Sequence, residues 1–175
     1  GAESTPGQDS CFWFTVRLAR QPGVSAPPPI SHTVLQRRRV LIVDDHAMNR
    51  TILEQQLLSQ GMVPETAADG SLALARLRAA AESGVPFDLA ILDAQMPEMD
   101  GWTLARRIKT DPSIGSVKLV LLTFLGQRGD AQTARAAGFD AYLTKPVRQR
   151  QLYDCLSLVL GGATASAGST APYGF

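Results

Sequence analysis

The sequence predicts an α/β fold in which five parallel β-strands alternate with five α-helices. The first observation is a set of short apolar runs, of which Val40-Leu41-Ile42-Val43 is the strongest. Such runs are typical of strands that are buried on both faces, as in parallel sheets. The second observation is that segments with helical spacing of apolar residues separate the runs. This alternation predicts a doubly wound sheet with helices on both of its faces.

The predicted elements follow one another in a regular order. The five strands are predicted over residues 40–43, 63–67, 87–92, 117–122 and 139–143. The helices are predicted from Met48 to Gly61, from Asp69-Gly70 to near Gly84, over 101–110, over 127–137, and along the stripe of Leu152, Cys155, Leu156 and Val159. Glycines and the pair Asp111-Pro112 provide the stop signals.

Composition and charge limit the classes of function. The chain has 175 residues, a net charge of +1, 45% hydrophobic and 19% charged residues, which fits one globular domain with tails. The near-zero charge predicts neither nucleic acid nor membrane surface as a partner. Cys11 and Cys155 indicate no disulfide framework or zinc site. No apolar segment approaches the ~18 residues of a membrane span, and we expect a cytoplasmic domain.

Both ends of the chain differ in composition from the middle. Residues 161–175 are rich in Gly, Ala, Ser and Thr and predict a flexible tail or linker, and residues 21–37 predict a proline-rich linker. Before that linker, the alternating stretch from Cys11 to Leu18 predicts a strand, with no sheet of its own in this sequence.

Polar residues stand where four of the apolar runs end. The residues that follow or close such a run are Asp44-Asp45, Asp93, Thr123 and Lys145-Pro146. Right-handed crossovers place the C-terminal ends of parallel strands on one edge of the sheet, where open α/β sheets bind ligands. We therefore expect these side chains to converge on one site.

The residue types at this edge suit phosphoryl transfer. Carboxylates held together repel one another unless a cation neutralises them, and oxygen ligands suit Mg²⁺. Asp93 can act as a nucleophile toward phosphorus and form an aspartyl phosphate. Lys145 supplies a compact cation and Thr123 a hydroxyl donor for the phosphoryl oxygens. These groups can position the phosphoryl group and neutralise its charge, which are the two main requirements of phosphoryl transfer.

With these motifs, the chain resembles the receiver domain of two-component response regulators over residues 38–160. The matching motifs are Asp44-Asp45, Asp93 with Met96-Pro97-Glu98-Met99-Asp100-Gly101, Thr123 and Lys145-Pro146. The resemblance implies a flavodoxin-like (βα)5 fold and Mg²⁺ as the cofactor. The roles it implies are Asp93 as phosphoacceptor and Mg²⁺ ligand, Asp45 as direct Mg²⁺ ligand, Asp44 as a direct or water-mediated ligand, the Gln95 carbonyl as third protein ligand, Thr123 and Tyr142 as switch residues, and Lys145 as phosphate-binding lysine before a cis Pro146.

Two neighbours of Thr123 modify this expectation. Phe124 stands where the family usually has Ala, Ser or Gly, so its ring could crowd Asp93 and limit the inward swing of Tyr142. We expect a working receiver with altered kinetics, and the alternative is an impaired receiver that acts as an interaction module. Gln95 and Leu125 occupy positions that tune phosphoryl lifetime in the family, and an apolar Leu125 predicts slow autodephosphorylation.

The N-terminal stretch from Ser4 to Val16 resembles the end of a histidine-kinase ATP-binding domain, although Asp9 stands where Gly is usual. Residues 1–20 are therefore interpreted as the last strand of such a domain, without kinase activity of their own. The resemblance implies a hybrid sensor histidine kinase, anchored in the inner membrane, as the parent. Its implied partners are the phosphohistidine of a kinase dimerisation domain or of a histidine phosphotransfer domain.

Two other functional classes fit the sequence less well. An acid-phosphatase-like hydrolase needs a second Asp two residues after the nucleophile, where this chain has Gln95. A dinucleotide-binding domain needs a glycine-rich turn after the first strand, where this chain has Asp44-Asp45-His46-Ala47. His46 itself is expected to be a surface or capping residue rather than a metal ligand.

Overall fold

The computed structural model describes residues 1–4, 10–15, 33–124 and 130–161. At the N-terminus, strands β1 (Ala2–Ser4) and β2 (Ser10–Phe12) form an antiparallel pair in which Ala2 lies opposite Phe12. The expectation that the aromatic strand has no sheet partner is therefore wrong. A three-residue strand such as β1 is too short to show a hydrophobic period, although it pairs backbone groups that would otherwise be exposed on β2.

A short 3-10 helix, Thr33–Leu35, precedes the main domain. It lies within the segment that the sequence indicates as linker, yet the Leu35 side chain is fully buried. The Arg37 N–H donates to the Gly61 carbonyl at 2.7 Å and ties this segment to the turn after the first α-helix. The last residues before the domain thus take part in its core.

The main domain is a five-stranded parallel sheet with five helices. The strands are β3 (Arg39–Val43), β4 (Val63–Ala67), β5 (Leu89–Asp93), β6 (Lys118–Phe124) and β7 (Ala141–Lys145), in the spatial order β4-β3-β5-β6-β7. The helices are α1 (Ala47–Ser59), α2 (Gly70–Glu82), α3 (Gly101–Thr110), α4 (Asp130–Ala136) and α5 (Gln149–Gly161). The predicted doubly wound (βα)5 fold is confirmed. Among the helices that the structure describes, none is long and apolar enough to cross a membrane.

The last three strands begin and end one or two residues later than predicted. Asp93 and Lys145 are the final residues of β5 and β7 instead of following them. Their backbones continue the ladder, with Asp93 beside Leu122 and Lys145 beside Phe124. Hydrophobic patterns report where side chains are buried, whereas backbone hydrogen bonds set the strand ends, so polar residues at the edge were missed.

Each face of the sheet carries its own hydrophobic core. Residues of β3 and β5 contribute alternately to the two sides, because successive strand side chains point to opposite faces. The first core packs against α2, α3 and α4 and includes Leu41, Val43, Leu92, Leu77, Leu104, Ile108 and Ala134. The second core packs against α1 and α5 and includes Val40, Ile42, Ile91, Leu53, Leu57, Leu152, Cys155 and Leu156. Burial on both faces explains why the sequences of the inner strands β3 and β5 are almost uniformly apolar.

Candidate functional site

Three strands bring one cation and two acids together at the C-terminal edge of the sheet. Asp44 directly follows β3, Asp93 ends β5 and Lys145 ends β7. The Lys145 Nζ donates to Asp44 Oδ2 at 3.0 Å and to Asp93 Oδ2 at 2.8 Å. Parallel strands with helical crossovers produce this meeting, since all their C-terminal ends lie on one edge.

The two acids are buried, and the three groups together carry an excess of negative charge. Asp44 is 0% and Asp93 3% exposed. Burial raises the pKa of Asp93, with the Asp44 charge acting in the same direction, and this outweighs the opposing hydrogen bond and attraction from Lys145. Burial by itself would lower the pKa of Lys145, but its hydrogen bonds to Asp93 and Asp44 raise it. Both shifts indicate a site that favours additional positive charge.

The excess charge makes a testable difference to stability. Because the folded-state pKa of Asp93 lies above its ordinary value of 3.8, folding disfavours the ionised form. We expect Asp93→Asn to raise the free energy of unfolding by about 1 kcal/mol near neutral pH, as is common when a strained functional group is removed. The difference should shrink as the pH falls and vanish well below pH 3.8, where the carboxyl is protonated in both the folded and the unfolded state. Urea unfolding of both proteins at the two pH values checks this, and an equal difference at both would contradict it.

The Asp45 carboxylate is more accessible than that of Asp44. Its side chain is 25% exposed, and its Oδ1 lies 2.9 Å from the His46 Nδ1. One potential ligand atom each from Asp44, Asp45 and His46 lies within 4.8 Å of the others, a group that does not include Asp93. His46 is the N-cap residue of α1 with a 72% exposed side chain, which fits the expected surface or capping position.

The donor chemistry of this edge fits a hard divalent cation. Asp44 and Asp45 offer carboxylate oxygens, and the Lys145 contact holds Asp93 next to Asp44. Oxygen donors with open coordination positions suit Mg²⁺, which keeps several waters. Direct coordination of Mg²⁺ by Asp45 and by the Gln95 carbonyl remains a prediction from the sequence.

The first turn of α1 supplies two residues that the sequence analysis missed. The Asn49 Nδ2 donates to Asp44 Oδ1 at 3.2 Å and to Oδ2 at 3.1 Å. The Arg50 Nη1 donates to the backbone carbonyls of Asp44 at 2.7 Å and Asp45 at 3.0 Å. Helical side chains point toward the helix N-terminus, so polar residues in a first turn can reach the loop before it. That rule is the sequence signal that could have found them.

The loop after β5 approaches the strand end very closely. A Cβ atom on Gly101 would lie 2.2 Å from the Asp93 carbonyl oxygen, so the start of α3 needs a glycine here. The Asp100 side chain caps this helix by accepting from the Thr103 N–H at 2.7 Å. The Gln95 N–H points toward Asp93 Oδ1 at 3.4 Å. Helix α3 is therefore anchored against the residue that carries the candidate nucleophile.

Phe124 lies beside the site without being buried in it. Its side chain is 57% exposed, whereas the preceding Thr123 is only 6% exposed. Phe124 is the sheet neighbour of Lys145, and its ring centroid lies 5.5 Å from the Lys145 Nζ. The ring borders two clefts, one of about 420 Å³ next to Asn49 and Pro146 and one of about 600 Å³ next to Gln95 and Thr123.

Three further residues, Tyr142, Pro146 and Leu125, were also predicted to belong to the site. Tyr142 is partly buried and packs against the core on the α2–α4 side of the sheet. The peptide bond between Lys145 and Pro146 is cis, as the resemblance implied. Leu125 lies outside the described residues, so its expected effect on phosphoryl lifetime stays a prediction.

Fold and site together define the class of protein. A parallel sheet in the order β4-β3-β5-β6-β7, with Asp44, Asp93 and Lys145 in contact at its C-terminal edge, is the architecture predicted for a receiver. The sequence model of the family "Response regulator receiver domain" matches residues 40–157. The chain belongs to this family.

Known proteins of several kinds are similar to this chain. Response regulator PleD of Caulobacter vibrioides is 38% identical over 115 residues, which cover 66% of this chain and 24% of PleD. Virulence sensor protein BvgS of Bordetella pertussis is 36% identical over 162 residues, which cover 85% of this chain and 12% of BvgS. The chain therefore spans about a quarter or less of the length of these relatives.

Solved structures show the same fold. The receiver domain of a signal transduction histidine kinase from Syntrophus aciditrophicus superposes with a TM-score of 0.62 at 30% identity, covering 77% of this chain and 98% of that one. Chemotaxis protein CheY4 of Vibrio cholerae gives a TM-score of 0.63 at 30% identity, covering 70% of this chain and 98% of that one. Both structures are thus matched over nearly their whole length.

Proposed function

We propose that this chain is the phosphoryl-accepting receiver of a hybrid sensor histidine kinase, with Asp93 as the acceptor in a phosphorelay. The observation that carries the proposal is the contact of the buried Asp93 carboxylate with Lys145, which also contacts Asp44. An acid that is buried, paired with a lysine and placed at a strand end is positioned for chemistry rather than for solubility.

The proposed reaction moves a phosphoryl group from a phosphohistidine to Asp93. An Asp93 carboxylate oxygen forms the new O–P bond while the N–P bond of the donor breaks, and the imidazole leaves with that electron pair. No oxidation or reduction occurs. Because the transition state is loose, the protein contributes mainly by positioning the groups and neutralising charge.

Each polar neighbour of Asp93 has a part in this reaction. Lys145 moves its charge from the carboxylates to a phosphoryl oxygen, and the Thr123 hydroxyl donates to another. The inward swing of Tyr142 accompanies the movement of Thr123. Asp45, Asp93 and the Gln95 carbonyl would hold Mg²⁺, with Asp44 contributing directly or through water, and the ion when bound would neutralise charge on the phosphoryl oxygens.

The assignment to a hybrid kinase is supported by the relatives and by the N-terminus. The similarity to BvgS covers 85% of the chain, compared with 66% for PleD, so it extends beyond the receiver. Strands β1 and β2 form an antiparallel pair before the linker, and such a pair is compatible with the remnant of a preceding domain. We accordingly place residues 1–20 at the end of a kinase ATP-binding domain, in the cytoplasmic part of a membrane-anchored parent. The partners are then phosphohistidines of a dimerisation or phosphotransfer domain.

Phosphoryl uptake by the purified chain tests the proposal. With acetyl phosphate and Mg²⁺, the wild type should gain one phosphoryl group per chain by intact mass, and Asp93→Asn should gain none. Asp140→Asn removes an acid at the opposite edge of the sheet, next to the start of β7, and should retain uptake. A chelator should abolish the reaction. Uptake by Asp93→Asn equal to that of the wild type would disprove the acceptor assignment.

Phe124 supports one alternative, a receiver fold that acts as an interaction module. Its exposed ring lies next to Lys145 and borders both clefts, one of which is also lined by Asp44 and Lys145. In the same assay, no uptake by the wild type together with uptake by Phe124→Ala would favour this alternative. Comparable uptake by both proteins would leave the phosphorelay assignment in place.

A further inference from the structure

Hydrogen-bond donors saturate the carboxylate of Asp44. Its Oδ1 accepts from the His46 N–H at 2.8 Å and from Asn49 at 3.2 Å. Its Oδ2 accepts from Asn49 at 3.1 Å and from Lys145 at 3.0 Å. An ionised carboxylate offers about four lone-pair sites, and here four contacts use them. The side chain is also fully buried, so this arrangement cannot be relieved by water.

The donors from α1 fix the acid without cancelling its charge. Asn49 is neutral and bridges both carboxylate oxygens. Arg50 is charged, but it donates to the backbone carbonyls of Asp44 and Asp45 rather than to a carboxylate. The first turn of α1 therefore holds the position of Asp44 and leaves its negative charge available to attract a cation.

The adjacent acid is held differently. Asp45 is 25% exposed, and among the described residues its carboxylate is hydrogen-bonded to the exposed His46 ring. Two consecutive acids thus differ in their freedom to coordinate a cation directly. Asp45 can turn its oxygens to an ion, whereas Asp44 can do so only by giving up bonds to Asn49 or Lys145.

We propose that Asn49 is a positioning residue that selects Mg²⁺ over Ca²⁺ by holding Asp44 out of direct coordination. The inference rests on the proposed function, in which this edge binds Mg²⁺. Mg²⁺ is usually bound through one or two carboxylates and keeps several waters, whereas Ca²⁺ takes six to eight oxygen ligands. If Asp44 does not coordinate the cation directly, few protein ligands remain, and the ion keeps several waters, which suits Mg²⁺. Releasing Asp44 adds a carboxylate that benefits Ca²⁺ more.

Arg50 stabilises the same arrangement from the backbone side. One guanidinium nitrogen joins the two successive carbonyls, at 2.7 and 3.0 Å, and restrains the Asp44-Asp45 segment. Lysine keeps the charge but lacks the planar guanidinium. Arg50→Lys should therefore shift the selectivity in the same direction as loss of Asn49, by a smaller factor.

Titration of the full chain with Mg²⁺ and with Ca²⁺, followed by backbone amide chemical shifts, tests the proposal. The wild type should bind Mg²⁺ more tightly than Ca²⁺. In Asn49→Ala the ratio of the two dissociation constants should change about ten-fold toward Ca²⁺, at the lower end of the effects of residues that orient metal ligands. Asn49→Leu keeps a side chain that branches at Cγ but has no donor, and it should behave alike. Gln55→Ala, an exposed amide on the same helix, should keep the wild-type ratio.

The outcomes distinguish a failure of the proposed Mg²⁺-dependent function from a failure of the Asn49 selectivity role alone. If the wild type binds no Mg²⁺, the proposed Mg²⁺-dependent function fails and this inference fails with it. If the wild type prefers Mg²⁺ and both Asn49 variants keep the same ratio, only the selectivity role is overturned. A lowered urea midpoint with an unchanged ratio would assign Asn49 a purely structural role.

Discussion

Replacing Lys145 with Met should lower the free energy of unfolding by about 3 kcal/mol, because it leaves two buried carboxylates without their cation. It should also slow phosphoryl uptake about 100-fold, the usual cost of removing one preorganised charge from a reacting group. The Nζ contacts at 3.0 and 2.8 Å, with a side chain that is 13% exposed, are the basis of both expectations. Urea unfolding and the uptake assay measure them.

A surface lysine provides the matched control for this variant. The Lys118 Nζ lies 2.9 Å from an Asp140 oxygen, but its side chain is 48% exposed. Surface ion pairs contribute about 0 to 1 kcal/mol, so Lys118→Met should be nearly neutral. Adding Asp93→Asn to Lys145→Met should recover part of the lost stability, because one of the unpaired charges is then gone. Equal effects of the two lysine substitutions would contradict the burial argument.

Replacing Gly101 with Ala should lower the free energy of unfolding by about 3 kcal/mol and disturb the site as well. The added Cβ would lie 2.2 Å from the carbonyl oxygen and 3.0 Å from the carbonyl carbon of Asp93. These are backbone atoms, so α3 or the end of β5 must move, and overpacking of this kind costs about 1–3 kcal/mol or more. A displacement of Asp93 by about 1 Å can cost on the order of 100-fold in rate.

The glycine at the end of α5 is the control for this prediction. A Cβ on Gly161 would meet no atom of the described residues within 4 Å, and Gly161→Ala should leave unfolding and uptake close to those of the wild type. Thermal unfolding monitored by circular dichroism and the uptake assay check both variants. Wild-type uptake by Gly101→Ala would show that the loop after β5 adjusts without moving Asp93.

Much of the fold was predictable because its signals are local. The apolar run at Val40 and the stripe from Leu152 to Leu156 each report burial within a few residues, and the order of strands and helices follows from them. Strand ends were less predictable. Asp93 and Lys145 belong to their strands through backbone hydrogen bonds that a hydrophobic pattern does not report.

The site was predictable in its members and less so in its arrangement. Topology alone brings Asp44, Asp93 and Lys145 to one edge, whatever their exact distances. The α1 donors were missed because Asn49 and Arg50 lie on an ordinary helical turn with no motif of their own. The sequence indicates that Phe124 could crowd Asp93 and does not show where the ring lies; in the structure the ring is next to Lys145 with more than half of its surface exposed, and its effect on phosphorylation stays a prediction.

The sequence by itself determined the alternating order of elements, the parallel sheet and the strand-end acids, because apolar periodicity and right-handed crossovers are general properties of the chain. Only the tertiary structure decided how the Asp44 carboxylate is shared. The contact of this carboxylate with Lys145 joins residues 101 positions apart, and Asn49 on α1 donates a further hydrogen bond to it. A change of a few tenths of an ångström in the donor–acceptor distance makes or breaks such contacts, and a local sequence pattern does not specify distances to that precision.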